Sequence, residues 1–221
     1  MNLNRLRTRA NCPLTVSKEN LARLKPRNLT MAVLWLLAPF FFPSVNRAQV
    51  PVYEVTPVES TVKFGVDSSV PIKGTFDKWN ASMKFSSMDV RSGVLEIEIE
   101  ADSVNTGSGL KNSKLKSKDF FDVKDSPVIT FKSTKVVQMS PNTFDLEGDF
   151  TIRGVTKDET LHLVVSGKGT GTGDVKGTMA FDRKDYGMNS GIPFIKIADR
   201  VEVTVDLHGK RVSGPPLVFK E

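Results

Sequence analysis

The residues of this chain that could do chemistry are few and scattered. His162 and His208 are its two histidines, and Cys12 its one cysteine. Each histidine alternates with apolar neighbours: Leu161, Leu163 and Val165 around His162, and Val203, Val205 and Leu207 before His208. That spacing puts both imidazoles on the outer face of a strand, where two of them make neither a catalytic pair nor a zinc site without a converging third group. Ser108 with Lys111, and Ser113 with Lys116, have the serine-x-x-lysine spacing of acyl-serine enzymes, but the companion Ser-Asp-Asn and Lys-Thr-Gly signatures are absent. The run Gly169-Thr170-Gly171-Thr172-Gly173 has the composition of a phosphate loop, yet no helix follows to lend its amides, which makes it a hairpin loop. Glu96, Glu98 and Glu100 read as a solvated strand face. These residues give no reason to expect catalysis, a cofactor or a bound metal.

The lysines at 111, 114, 116 and 118 stand apart, because they sit in the one stretch, Thr106 to Phe131, that breaks the alternation found elsewhere. Its apolar points, Leu110, Leu115, Phe120 and Phe121, are too sparse to hold an isolated helix. Paired phenylalanines flanked by Asp119 and Asp122 suggest aromatic rings pushed into an apolar opening while the carboxylates stay wet. The segment is expected to be a short helical lid. Lys111 and Lys114, at the rim of such an opening, are the candidates for contact with an acidic head group.

Around the lid the chain is strands. Val62, Phe64 and Val66 alternate with polar residues, as do Val70, Ile72, Gly74 and Phe76, then Trp79, Ala81, Met83 and Phe85, then Leu95, Ile97 and Ile99. The pattern resumes at Pro127 to Gln138, Phe144 to Ile152, Val155 to Ser166, Val175 to Asp182 and Arg200 to Gly209. Eight or nine half-buried strands joined by short turns predict an all-β protein, an antiparallel eight-stranded lipocalin-like barrel with the lid across one end. A two-sheet sandwich is the competing architecture. The inward residues expected to line a ligand site are Phe64, Val66, Phe76, Trp79, Met83, Phe85, Leu95, Ile97, Phe131, Phe150, Met179 and Phe181, with Phe120 and Phe121 from the lid. Pattern alone leaves two readings of them, a solid core or an adaptable apolar cavity.

The formal charge of +6 on 221 residues would suggest a polyanion partner, but it is unevenly spread. Residues 1 to 49 hold eight Lys or Arg against one acid, which leaves 23 basic and 24 acidic residues for the rest. A body near neutrality argues against nucleic acid. The basic region 1–28, the apolar stretch 29–42 and the small Ala48 have the layout of a secretory signal, with cleavage expected after Ala48 and a periplasmic or secreted product. Fourteen apolar positions broken by Pro39 are short for a spanning anchor, so no stable membrane insertion is expected after cleavage. Cys12 would leave with the leader. The expected division is a leader 1–48, a barrel domain 49–213 and a C-terminal tail 214–221.

Several motifs in order carry a family resemblance. They include Ser60-Thr61-Val62-Lys63-Phe64, Gly74-Thr75-Phe76, Ser103-Val104-Asn105-Thr106-Gly107, and Lys116-Ser117-Lys118-Asp119-Phe120-Phe121-Asp122 after Leu115. Further on come Ser126-Pro127-Val128-Ile129-Thr130-Phe131, the run from Gly148 through Arg153 to Lys157, and Arg183-Lys184-Asp185-Tyr186-Gly187-Met188. From about Val52 to Lys210 the chain resembles the YceI family of secreted, lipocalin-like polyisoprenoid-binding proteins. The resemblance implies an extended barrel with a long isoprenoid threaded through it. The chain departs from the pattern at Ser68-Ser69, where the family often has histidine. It departs again at Lys111-Asn112 and Lys114-Leu115, where the family often has Arg-Asp and His-Leu, so head-group contacts by those family residues do not carry over. The expected function is an exported carrier or store for an isoprenoid lipid or quinone, without chemistry. A hydrolase or isomerase of a small apolar substrate and a solid-core stress or adhesion domain are the alternatives, and the sequence allows a homodimer.

Overall fold

The computed structural model describes residues 49–220 except 168, 192 and 193. The leader expected at 1–48 lies outside the described residues. Eleven strands form one antiparallel sheet: β1 (Val52–Val55), β2 (Thr61–Ser68), β3 (Ile72–Phe76), β4 (Trp79–Phe85), β5 (Gly93–Glu100), β6 (Val104–Asn105), β7 (Val128–Gln138), β8 (Thr143–Ile152), β9 (Val155–Ser166), β10 (Thr172–Asp182) and β11 (Ile197–Ser213). The helix α1 (Gly109–Lys116) lies between β6 and β7.

The eleven strands reduce to eight staves. A 3-10 turn at Pro57–Glu59 interrupts a stave made of β1 and β2, both paired with β11: Val55 opposite Gly209, then Thr61 opposite Asp206. The corner at Asp77-Lys78 likewise joins β3 to β4, and the turn at Ala101–Ser103 joins β5 to β6. Each stave pairs with the next in sequence, and β11 closes on β1 and β2. The result is a closed eight-stranded up-and-down barrel, which leaves no long edge exposed. The sandwich reading does not survive this closure.

Alternation sets which side chains enter the barrel. Leu95, Ile97 and Ile99 are buried on β5 while Glu96 faces out, bridging Lys84 of β4 at 3.0 Å and Lys132 of β7 at 2.8 Å. Hydrogen bonds from Lys132 and Lys84 hold the Glu96 carboxyl at a pKa of about 2. Glu100 pairs with Lys78 at 3.2 Å, so the glutamate ladder lies on the wet face with two of its three carboxylates in ion pairs. Val70 departs from its pattern: β3 begins only at Ile72, and Val70 lies exposed in the Ser69–Pro71 turn, where Pro71 has no N–H to offer a ladder. Between β8 and β9, Arg153 (φ 55°) and Gly154 (φ 73°) both take left-handed backbone with Ile152 paired to Val155, a tight two-residue hairpin of the type that suits twisted strands.

Candidate functional site

The lid is built from its caps inward. The Ser108 hydroxyl caps α1 by accepting from the Lys111 N–H at 3.5 Å, and Asn112 Oδ1 accepts from the Thr106 N–H at 2.9 Å and its hydroxyl at 2.7 Å. The serine-x-x-lysine spacing is thus a helix start, and Lys111 Nζ donates away from Ser108 to the Pro71 carbonyl at 3.1 Å. An eight-residue helix with one buried side chain, Leu115, has little stability of its own. What fixes it is the turn that follows: the Phe121 N–H donates to the Leu115 carbonyl and the Val123 N–H to that of Lys116. This turn drives Phe120 and Phe121 into the barrel mouth, where Phe121 meets Phe64 at 6.1 Å and Phe76 at 5.8 Å between ring centroids.

Beneath the lid is an apolar cavity of about 60 Å³. Phe64, Val66, Phe76, Phe120, Phe121, Phe150 and Phe181 line it, together with Leu115, Ile129, Met188 and Val201. Arg183 is in the same wall, buried, but its guanidinium is engaged elsewhere. Nε donates to the Ala198 carbonyl at 3.1 Å, Nη1 to those of Met188 and Ser190, and Nη2 to Asp199 at 3.0 Å. The cavity sees its aliphatic stem.

At the opposite end a larger apolar cavity occupies about 120 Å³. Met83, Phe85 and Leu95 line it, with Tyr53, Phe144, Leu146, Leu163 and the β9–β10 loop around Gly169 and Gly171. The run that resembled a phosphate loop is thus the rim of an apolar opening. Leu217 and Phe219, from the segment set apart in sequence as a tail, also line it. Val218 bridges to Asp89, and the Phe219 ring meets Phe144 at 6.0 Å. Sequence reasoning missed this plug; the apolar run Leu217-Val218-Phe219 after two prolines was the available signal.

Ile97, Phe131 and Met179 line neither cavity. On its own strand each lies between a residue of one cavity and a residue of the other. Leu95 and Ile99 flank Ile97, Val136 and Ile129 flank Phe131, and Val175 and Phe181 flank Met179. They form a buried belt across the barrel. Trp79 is half-buried at the β3–β4 corner and also lines neither cavity. Of the two lysines expected at a head group, Lys111 is bound to Pro71, while Lys114 pairs with Asp119 and lies 5.8 Å over the Phe120 ring. Both serve the lid. The histidines stay on the outer face, His162 against Asp145 at 2.7 Å and His208 against Asp174 at 2.7 Å.

This barrel, lid and pair of cavities can be set beside known proteins. The YceI-like domain matches residues 53–209. The chain belongs to the YceI-like family. A UPF0312 protein of Pseudomonas savastanoi pv. phaseolicola is 28% identical over 133 residues, 58% of this chain and 69% of its own length. The crystal structure of Burkholderia cenocepacia BcnA superposes on this YceI-like barrel with a TM-score of 0.64 and 26% identity, covering 70% of this chain and 99% of that one. A polyisoprenoid binding domain from Saccharophagus degradans implicated in plant cell wall breakdown aligns with a TM-score of 0.58 at 18% identity, over 73% and 99% of the two chains. At that identity the second likeness speaks for the fold alone.

Proposed function

We propose that this YceI-like barrel is an exported carrier or store for an elongated apolar isoprenoid, a polyprenyl compound or quinone, and that it performs no chemistry on it. The single observation that carries the reading is the pair of apolar cavities strung along one barrel axis, whose walls offer mainly aromatic and aliphatic side chains and whose two wall arginines, Arg183 and Arg211, donate to protein carbonyls. Such a lining suits a long hydrocarbon and gives little purchase to a polar substrate. The Saccharophagus neighbour, a polyisoprenoid binding domain, supports the same class of ligand. The leader layout in residues 1–48 supports export to the periplasm or beyond.

In this reading the prenyl chain passes the belt by displacing Met179, whose unbranched side chain has the rotamers to make room beside Ile97 and Phe131. Affinity then comes from burial, at about 0.8 kcal/mol per CH₂, so each added five-carbon isoprene unit, at about 4 kcal/mol when fully buried, should tighten binding by up to about a thousandfold until both cavities are filled. The test is a titration of the protein with prenyl alcohols of increasing length. A steep rise to a plateau is expected, lowered by Phe121→Asp at one end and Phe85→Asp at the other. Affinity that ignores chain length would sink the proposal, as would hydrolysis or isomerisation of the bound compound.

A further inference from the structure

The lid end of the barrel carries a second feature that the cavities do not require. Three large apolar residues stand exposed there: Phe194 is fully exposed, Leu110 is 84% exposed and Val70 is 43% exposed. They come from three segments far apart in sequence, yet hydrogen bonds stitch those segments into one rim. Lys111, next to Leu110, donates from Nζ to the carbonyl of Pro71, next to Val70. The N–H of Ser69, on the other side of Val70, donates to the Lys196 carbonyl at 3.0 Å, and the Lys196 N–H donates to the Ser69 hydroxyl at 3.1 Å; Phe194 is two residues before Lys196. Ile72 and Ile197, which adjoin these segments, line the lid-end cavity, so the rim surrounds its mouth.

The unpaired charge around this crown is mostly positive. Lys73, Lys111 and Lys196 form no ion pair among the described residues, while of the nearby acids Asp199 is paired with Arg183 and Lys184, Asp119 with Lys114, and Asp67 lies on the adjoining strand. Phe194 holds left-handed backbone at φ 65°, a conformation that costs a bulky residue energy and that here leaves its ring in solvent. Separate apolar side chains projecting beyond a collar of cations are the arrangement that binds an anionic bilayer surface: the apolar tips enter the headgroup boundary and the lysines stay at the phosphates.

We propose that this crown docks the barrel, lid end down, onto an anionic phospholipid membrane. Its use in loading or releasing a lipid rests on the carrier reading, whereas the contact itself does not. The lid-end mouth would then open onto the leaflet, and the larger cavity would face away from it.

The experiment is vesicle co-sedimentation with protein recovered from the soluble fraction of cells expressing the full chain. The vesicles are phosphatidylcholine alone or with about 30% phosphatidylglycerol; near an anionic surface each lysine matters roughly fivefold. Wild type should partition onto the anionic vesicles. The pair Leu110→Ser and Phe194→Ser should lose tenfold or more, and Lys111→Glu with Lys196→Glu should lose twentyfold or more and with it the preference for anionic lipid. Met139→Ser, an exposed site in the β7–β8 turn, should change nothing. Near-ultraviolet circular dichroism checks that each variant is folded. Wild type that ignores anionic vesicles, or a Met139 variant as impaired as the Phe194 variant, would overturn the proposal. Extracted lipid content, measured on the same samples, tests the carrier reading separately: a docked but lipid-free protein defeats that reading alone.

Discussion

Arg153 is the clamp that the lid depends on, and replacing it with methionine isolates its contribution. From the β8–β9 hairpin its Nη2 donates to the Lys118 carbonyl at 3.0 Å and its Nη1 to the Gly187 carbonyl, with Asp122 Oδ2 at 4.0 Å. One side chain thus holds both the lid turn and the turn after β10. Methionine keeps the apolar stem and bears the same left-handed backbone strain, so what is lost is the hydrogen bonding. A hydrogen bond with a charged partner contributes about 1.5 to 3 kcal/mol, and the side chain is 18% exposed, which favours the lower figure for each. A loss of ~3 kcal/mol from the closed lid corresponds to a rise of about a hundredfold in its open population. Amide hydrogen exchange reads this locally. The Phe121 and Val123 amides, bonded to the Leu115 and Lys116 carbonyls, should exchange about a hundredfold faster in the variant, while the amides of Ile97 and Phe131 in the belt change far less. Unchanged lid amides, or equal acceleration in the strands, would refute the clamp.

Three further outcomes follow from the same contacts. Tyr186 is fully buried, its ring 5.1 Å from Phe181 and 5.5 Å from Phe150, and its hydroxyl donates to Glu159 at 2.9 Å; Tyr186→Phe should cost ~1.5 kcal/mol in chemical denaturation, and an unchanged midpoint would count against that bond. A side chain at Gly177 would meet Val205 Cγ2 at 2.5 Å and Leu163 Cδ2 at 2.8 Å, so Gly177→Val should destabilise the barrel by ~1 to 3 kcal/mol, and a neutral result would mean the interior yields more easily than its packing implies. The hydrogen bond to Asp174, helped by the charge of Glu59, raises the His208 pKa above its usual value. The folded state therefore binds this proton more tightly, and the stabilisation is complete below the unfolded pKa and lost as pH rises through the folded one. Thermal melting should show a decline as pH rises past the ordinary imidazole range that His208→Gln removes; the same decline in the variant would place its origin elsewhere.

Most of the barrel was legible because its alternation is regular: Leu95, Ile97 and Ile99 could face only one way once Glu96 and Glu98 faced the other. The lid was legible for the opposite reason, as the one stretch where that period failed. What escaped notice were residues whose burial depends on a partner far along the chain. Ser133 is 2% exposed because the β5–β7 ladder stops at Glu96 and Lys132, and the next amide, that of Leu95, needs its hydroxyl at 2.9 Å. A serine gives no sign of this in sequence. Arg183 is similar, a charged residue held by the Met188 and Ser190 carbonyls of the loop before β11 and by the Ala198 carbonyl at the start of that strand. The Phe219 plug has its partner 75 residues upstream in Phe144, and its run is too short for any period to show. The site residues divided for a related reason. Alternation says which side chains point inward, but their height along the barrel decides whether they line a cavity, as Phe85 does, or close the belt, as Phe131 does.

The carrier account is tested most directly by mass spectrometry of an organic extract from the protein purified out of its own host. It predicts one class of prenylated compound in near-equimolar amount, reduced in Phe121→Asp and Phe85→Asp proteins that remain folded. A folded wild-type protein that yields no lipid, and takes up none when long prenyl alcohols are offered, would contradict it.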